Sequence, residues 1–231
     1  MKTLGIIGGM GPMAGCDLLK KIILNTDAKC DQEHIHTILD SNTAIADRTA
    51  AILSGGKDPT EELQKSAKRL YEAGAEVIVM SCNTAHYFYD AVAECVPVPV
   101  LHMPRLTAEY MKKRGITRAA LLATDGTIQS GVYGRALSPM TVLTPEGEDQ
   151  KAIMSLIYDG VKRGDPHFDV TRVQETLSHL AQAGAEAFIL GCTELPIAFS
   201  QFPLEGRTVD PTLVLARAAV KACGAPLTPE K

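Results

Sequence analysis

Two cysteines occupy matching places in this chain. Cys82 follows EVIVMS and precedes Asn83, Thr84 and His86, whereas Cys192 follows AFILG and precedes Thr193 and Glu194. Each stands nine residues after the start of an AGAE tetrapeptide, at 73–76 and 183–186, so the two thiols are 110 residues apart. A cysteine at the end of a strand, just ahead of a helix, meets the first unsatisfied N–H groups of that helix, and these favour the thiolate. One such thiol on each side of a cleft gives a defined chemistry. One thiolate removes a proton from a carbon held between them, and the other thiol delivers a proton to the opposite face, inverting the carbon. Because the reaction must run both ways, it calls for two groups of similar proton affinity in opposite protonation states. The Asn83 amide and the Thr84 and Thr193 hydroxyls lie at the same helix starts and suit a carboxylate. Cys16, Cys30, Cys95 and Cys223 lack such a setting and read as packing residues, the usual place for cysteine.

The elements around these residues alternate. Strand-like runs fall at 3–8, 36–41, 76–81, 98–103, 119–124, 140–145 and 187–192. Between them, stretches such as DPTEELQKSAKRLYEAG and FDVTRVQETLSHLAQAG carry apolar residues at three- and four-residue spacing and stop at glycine. Strand–helix alternation predicts parallel sheets flanked by helices. The chain also repeats itself. LGIIGGMGP near residue 4 is echoed by ALLATDGT near residue 120, and each is followed by an AGAE–strand–Cys segment. The expected fold is therefore α/β, with two similar lobes, each a parallel sheet flanked by helices. The lobes are related by a pseudo-two-fold, with the active site in the cleft between them. The expected boundaries are 1–100 plus a C-terminal helix at 210–231 for the first lobe, and 101–209 for the second.

Bulk properties narrow the class. In a chain of 231 residues, an apolar fraction of 45% supports a core without disulfides. The net charge of −4 is spread without a basic block, which disfavours nucleic acid and anionic membrane and favours a small-molecule partner. No pair of cysteines forms CxxC, and the apolar run after Met1 is too short for a signal peptide. Scattered free thiols fit a reducing cytoplasm, the expected localisation. His34 and His36 share a strand face without nearby acids, a poor metal site, so no metal is expected. GGMGP is not the dinucleotide fingerprint GxGxxG. Its Met10 and Gly11 are expected to bring backbone N–H groups up to an anion in the cleft, and Thr124 and Thr127 to do the same from the second lobe.

Five motifs together resemble aspartate racemase, of the cofactor-independent aspartate/glutamate racemase superfamily. They are GGMGP at 8–12, DRT at 47–49, CNTAH at 82–86, GVKRG at 160–164 and GCTE at 191–194, and the likeness runs from residue 2 to about residue 220. The resemblance implies a two-lobed fold, usually a homodimer, that uses neither pyridoxal phosphate nor a metal. It implies that Cys82 and Cys192 are the acid/base thiols. It further implies that Arg48, Asn83, Thr84, Ala85, Lys162 and Thr193 bind substrate, with Glu194 beside the second thiol. The charges agree, since a dicarboxylic amino acid needs cations at both ends. Asp47 and Glu194 would then orient or deprotonate the thiols, although either could equally cap a helix, and His86 reads as a packing or capping residue. Two positions depart from the family pattern: Gly15 where the family usually has threonine, which removes a hydroxyl from the mouth of the first lobe, and Ala46 where it often has proline. Glu194 stands where the related glutamate racemases commonly have histidine, which leans the expectation toward aspartate. The rival readings are a racemase of glutamate or broader specificity, a hydantoin racemase, a maleate isomerase, a two-lobed binding protein without turnover, and a Cys82–Cys192 redox disulfide.

Overall fold

The computed structural model describes residues 1–230. The chain runs β1 (Leu4–Gly8), α1 (Pro12–Asn25), β2 (Thr37–Ser41), α2 (Arg48–Leu53), α3 (Thr60–Glu72) and β3 (Val77–Met80). A 3-10 turn at Thr84–Phe88 leads to α4 (Tyr89–Ala93) and α5 (Met103–Lys113). The second half runs β4 (Arg118–Leu122), α6 (Asp125–Gln129), α7 (Val132–Leu137), β5 (Thr141–Leu143) and α8 (Gly147–Ser155). A π-helical segment at Leu156–Lys162 follows, then α9 (Thr171–Gln182), β6 (Phe188–Leu190), α10 (Leu195–Gln201), β7 (Thr208–Val209) and α11 (Pro211–Ala222).

Two parallel sheets result, ordered β2-β1-β3 and β5-β4-β6-β7. The segments β1 and β3 are apolar along their whole length because both faces of a parallel sheet are covered. The run at 98–103 does not form the expected strand. It touches β3 through one parallel bridge, Ile78 to Val100, in the position that β7 takes in the second sheet. Pro97 and Pro99 have no N–H to give to a ladder, so pairing stops at one bridge. The two-residue β7 is too short to show in the sequence.

Helices cover both faces of each sheet. Against the first sheet, α1 and α11 bury Leu18, Ile22, Leu215 and Ala219 on one side, and α3 buries Leu63, Ala67 and Leu70 on the other. Asp210 starts α11 by accepting the Thr212 and Leu213 N–H groups, with Pro211 just inside. Lys21 of α1 bonds Asp17, Asp210 and Thr212, tying the last helix to the first. In the second half, α8, α9 and α10 pack on one face, while α7 and the end of α5 pack on the other. Among the described residues, no helix is long and apolar enough to cross a membrane, and no group of three or more His, Cys, Asp or Glu could hold a metal ion.

Candidate active site

The matched registers decide where the thiols fall. β3 pairs with β1, and β6 with β4, so Cys82 and Cys192 lie just past the carboxyl ends of equivalent strands. Both line one cleft, together with Met10, Asp47, Arg48, Asn83, Thr84, Thr124, Lys162, Thr193 and Glu194. The cleft contains about 350 Å³ of space, part of it open to solvent. The turn after β1 reaches the cleft because Gly9, at φ +88°, passes within 2.3 Å of Asn42 measured from where a Cβ would stand.

The lobes touch around this cleft. Gly126 of α6 lies so close to Thr49 of α2 that a Cβ would meet the Thr49 hydroxyl at 2.5 Å. Thr84 Oγ1 and Thr127 Oγ1 are 2.7 Å apart, and the Tyr133 hydroxyl donates to Asn83 Oδ1 at 2.5 Å.

The two thiols have unequal surroundings, although equivalent strands carry them. Cys192 Sγ donates to Glu194 Oε2 at 2.9 Å, and the Thr193 hydroxyl donates to the same oxygen at 3.0 Å. Burial, and the Glu194 carboxylate, push the Cys192 thiol well above its ordinary range. The expectation that a helix start would favour a thiolate is overturned here: α10 begins three residues further on, and a carboxylate faces the sulfur. After Cys82 comes a 3-10 turn rather than the start of a regular helix, and among the described residues no carboxylate is hydrogen-bonded to this thiol as Glu194 is to Cys192. Asp47 does not partner it. Its Oδ1 caps α2 by accepting the Ala50 N–H at 2.6 Å, so its carboxylate is engaged by backbone even though the residue lines the cleft.

Cations stand on both walls. Arg48 Nη1 donates to the Ala46 carbonyl at 2.9 Å and Nη2 to the Met10 carbonyl at 3.3 Å, while its buried Nε has no partner. Arg48 forms no ion pair among the described residues. Lys162 Nζ is 4.0 Å from Glu194 Oε1 and 4.4 Å from the centre of the Tyr158 ring. Burial works against the Lys162 ammonium, but the negative charge of Glu194, foremost among its neighbours, raises it.

Not every expected residue meets the cleft. Ala85 is fully buried in the first-lobe core and does not line it. Gly11 lines an adjoining outer cavity, with Pro12, Met13, Val161 and Ile197, that shares Met10, Arg48, Lys162, Thr193 and Glu194 with the cleft. Thr127 stands behind the wall, bonding Thr84 and Thr124. Conversely, Thr49 and Gly191, members of the DRT and GCTE motifs that had been given no role, line the cleft together with Tyr158. Tyr158 had a signal, lying four residues before Lys162 on the same helical stretch. His86 is a structural residue. Its Nδ1 bonds the Cys82 carbonyl at 2.9 Å and its Nε2 accepts the Met103 N–H at 3.1 Å, which fixes the neutral form protonated at Nδ1. Burial, with His102 beside it, pushes His86 down to about 3. All six cysteines are free, so Cys82 and Cys192 form no disulfide.

Known proteins share this fold. A family model described as Asp/Glu/Hydantoin racemase matches residues 7–219. The chain is 31% identical to the aspartate racemase of Picrophilus torridus, whose structure covers 99% of this chain, and 96% of its own, with a TM-score of 0.83. A putative Asp/Glu racemase from Yersinia pestis is 28% identical, with a TM-score of 0.81 over 96% of this chain and 99% of that one. A broad specificity amino-acid racemase of Bacillus subtilis (strain 168) is 26% identical over 234 residues, covering 94% of this chain and 96% of the relative. Two parallel sheets in two lobes, a thiol at the end of an equivalent strand in each, and a family match over nearly the whole length agree: the chain belongs to the Asp/Glu/hydantoin racemase family and is an enzyme of the racemase class.

Proposed function

We propose that this protein interconverts L- and D-aspartate by two-base proton transfer between Cys82 and Cys192, without a cofactor. The observation that carries the reading is the cleft itself, which gathers a thiol from each lobe between two cations. Arg48, a cation with no ion-pair partner and a free Nε, takes one carboxylate, and Lys162 takes the other. Neutralising the α-carboxylate also stabilises the carbanion, whose charge spreads onto it. In one direction the Cys82 thiolate removes the α-proton and the Cys192 thiol protonates the opposite face. The turnover ends with Cys82 as thiol and Cys192 as thiolate. The pair resets when Cys82 gives its proton to solvent and Cys192 gains one from solvent, relayed through Glu194, which is hydrogen-bonded to Cys192. A binding protein without turnover would have no use for two thiols so placed.

A second reading, racemisation of glutamate or of a broader set of amino acids, is favoured by the outer cavity. It contains about 1060 Å³ of space, partly open to solvent, and Met13, Val161 and Ile197 give it an apolar wall against which a longer side chain could lie. Proton NMR in D2O, with no cofactor added, separates the readings. L-Aspartate should lose its α-proton signal as D-aspartate forms. Faster exchange of L-glutamate or of an aliphatic amino acid would replace aspartate with the broader reading, and no exchange with any of them would overturn both.

A further inference from the structure

Asn83 is held by a residue from the other lobe. Tyr133 lies on α7, fully buried in the second-lobe core, and its hydroxyl donates to Asn83 Oδ1 at 2.5 Å. Asn83 itself is 2% exposed and lines the cleft beside Cys82. Its Nδ2 is buried and has no hydrogen-bond partner among the described residues. A primary amide has one acceptor end and one donor end, in fixed opposition. With the acceptor end occupied by Tyr133, the donor end is left unsatisfied, and an unsatisfied buried donor is a costly arrangement unless something completes it. An amide turned the other way would present its oxygen to an anionic substrate and repel it.

We infer that Tyr133 is a positioning residue: its hydroxyl fixes the Asn83 amide so that Nδ2–H donates to a substrate carboxylate. Tyr133 and Asn83 come from different lobes, so the donor is set only when the lobes meet. The inference rests on the racemase reading of the cleft and extends it to a residue that touches no substrate.

Tyr133→Phe tests it, because the ring that fills the second-lobe core stays and only the hydroxyl goes. Freed to rotate, Asn83 presents its donor for part of the time. We expect KM for the racemised amino acid to rise about tenfold, the equivalent of one ordinary hydrogen bond, with kcat within about threefold of wild type. Asn83→Ala should raise KM at least as much, and the double variant should be no worse than Asn83→Ala alone, because Tyr133 acts through Asn83. A purely structural role would lower the melting temperature and leave KM in place. Unchanged KM in Tyr133→Phe, or multiplied effects in the double variant, would overturn the inference. A folded wild-type protein that neither exchanges nor racemises any amino acid would overturn the racemase reading, and this inference with it.

Discussion

Acidification from pH 7 to pH 5 should loosen the fold through one buried imidazole. His86 is held neutral, giving its Nδ1–H to the Cys82 carbonyl and accepting from Met103 at Nε2, with the rings of His102 and Tyr89 beside it. Its folded value is pushed down to about 3, against an ordinary 6.5 for an unfolded histidine. As pH falls, the unfolded chain therefore takes the proton first. The stabilisation is fully present above about 6.5 and is lost as pH falls toward the folded value. At pH 5 the solution lies about 1.5 units below the unfolded value, and at ~1.36 kcal/mol per unit the loss is about 2 kcal/mol. That figure hardly depends on the folded value, because the folded imidazole is neutral at pH 5 whether it titrates near 3 or a unit higher. Against a typical stability of about 5–15 kcal/mol the change is large. Urea unfolding followed by circular dichroism at pH 7, 6 and 5 reads it directly. His86→Gln keeps a donor and an acceptor but has no titrating group. Its stability should fall about 2 kcal/mol less than wild type over the same interval, whatever its stability at pH 7. His102, pushed down to about 4 chiefly by burial, stays in both proteins and drops out of the comparison. Equal losses in wild type and variant would refute the reasoning.

Four further outcomes follow from the same structure. Cys82→Ser and Cys192→Ser should each lower kcat by about 10²–10⁴-fold or more while unfolding in urea as wild type does, and activity near wild type in either would sink the two-base assignment. Glu194→Gln removes the carboxylate that, after burial, does most to hold the Cys192 thiol up. The basic limb of the kcat–pH profile should then move to lower pH, and an unmoved limb would release Glu194 from its role. Arg48→Ala should raise KM for dicarboxylates by about 10–100-fold, as loss of a charge-assisted hydrogen bond implies; equal loss with alanine as substrate would put Arg48 on the α-carboxylate that both substrates share, and an unchanged KM would refute its role in binding either carboxylate. Leu215→Ala, in the fully buried face of α11, should cost about 2–5 kcal/mol by urea unfolding, and a near-neutral result would mean that α11 adds little to the first lobe.

The parts of this structure legible in the sequence are those with a period. The α3 face Leu63-Ala67-Leu70 and the α9 face Val173-Leu177-Leu180 repeat every three or four residues, and β1, β3 and β6 are unbroken apolar runs. The thiols were legible because AGAE and the strand after it occur twice. What escaped was short or set by tertiary contact. Residues 125–137 form two helices around Gly131, each of one turn or little more, too brief for periodicity to show. Tyr133 lies there, so its bond to Asn83 had no sequence signature. The pairing of Cys192 with Glu194 was within reach of the sequence, but its direction was not. A carboxylate two residues on could cap the helix or face the sulfur, and only the packing of α10 decides.

The π-helical segment bears on how Lys162 keeps its place on the cleft wall. Between Tyr158 and Asp165 the backbone bonds span five residues rather than four, from Arg163 N to Tyr158 O and from Asp165 N to Gly160 O. Such a bulge holds one residue more than an α-helix of the same course. In a regular α-helix, adding or removing one residue turns whatever follows by about 100°. Here the extra residue is taken up inside the wide turns, so removing one from 156–161 would let ordinary winding follow the same course and leave Lys162 beside Glu194. The length of this helix can therefore change by one residue at the bulge without carrying the ammonium off the wall.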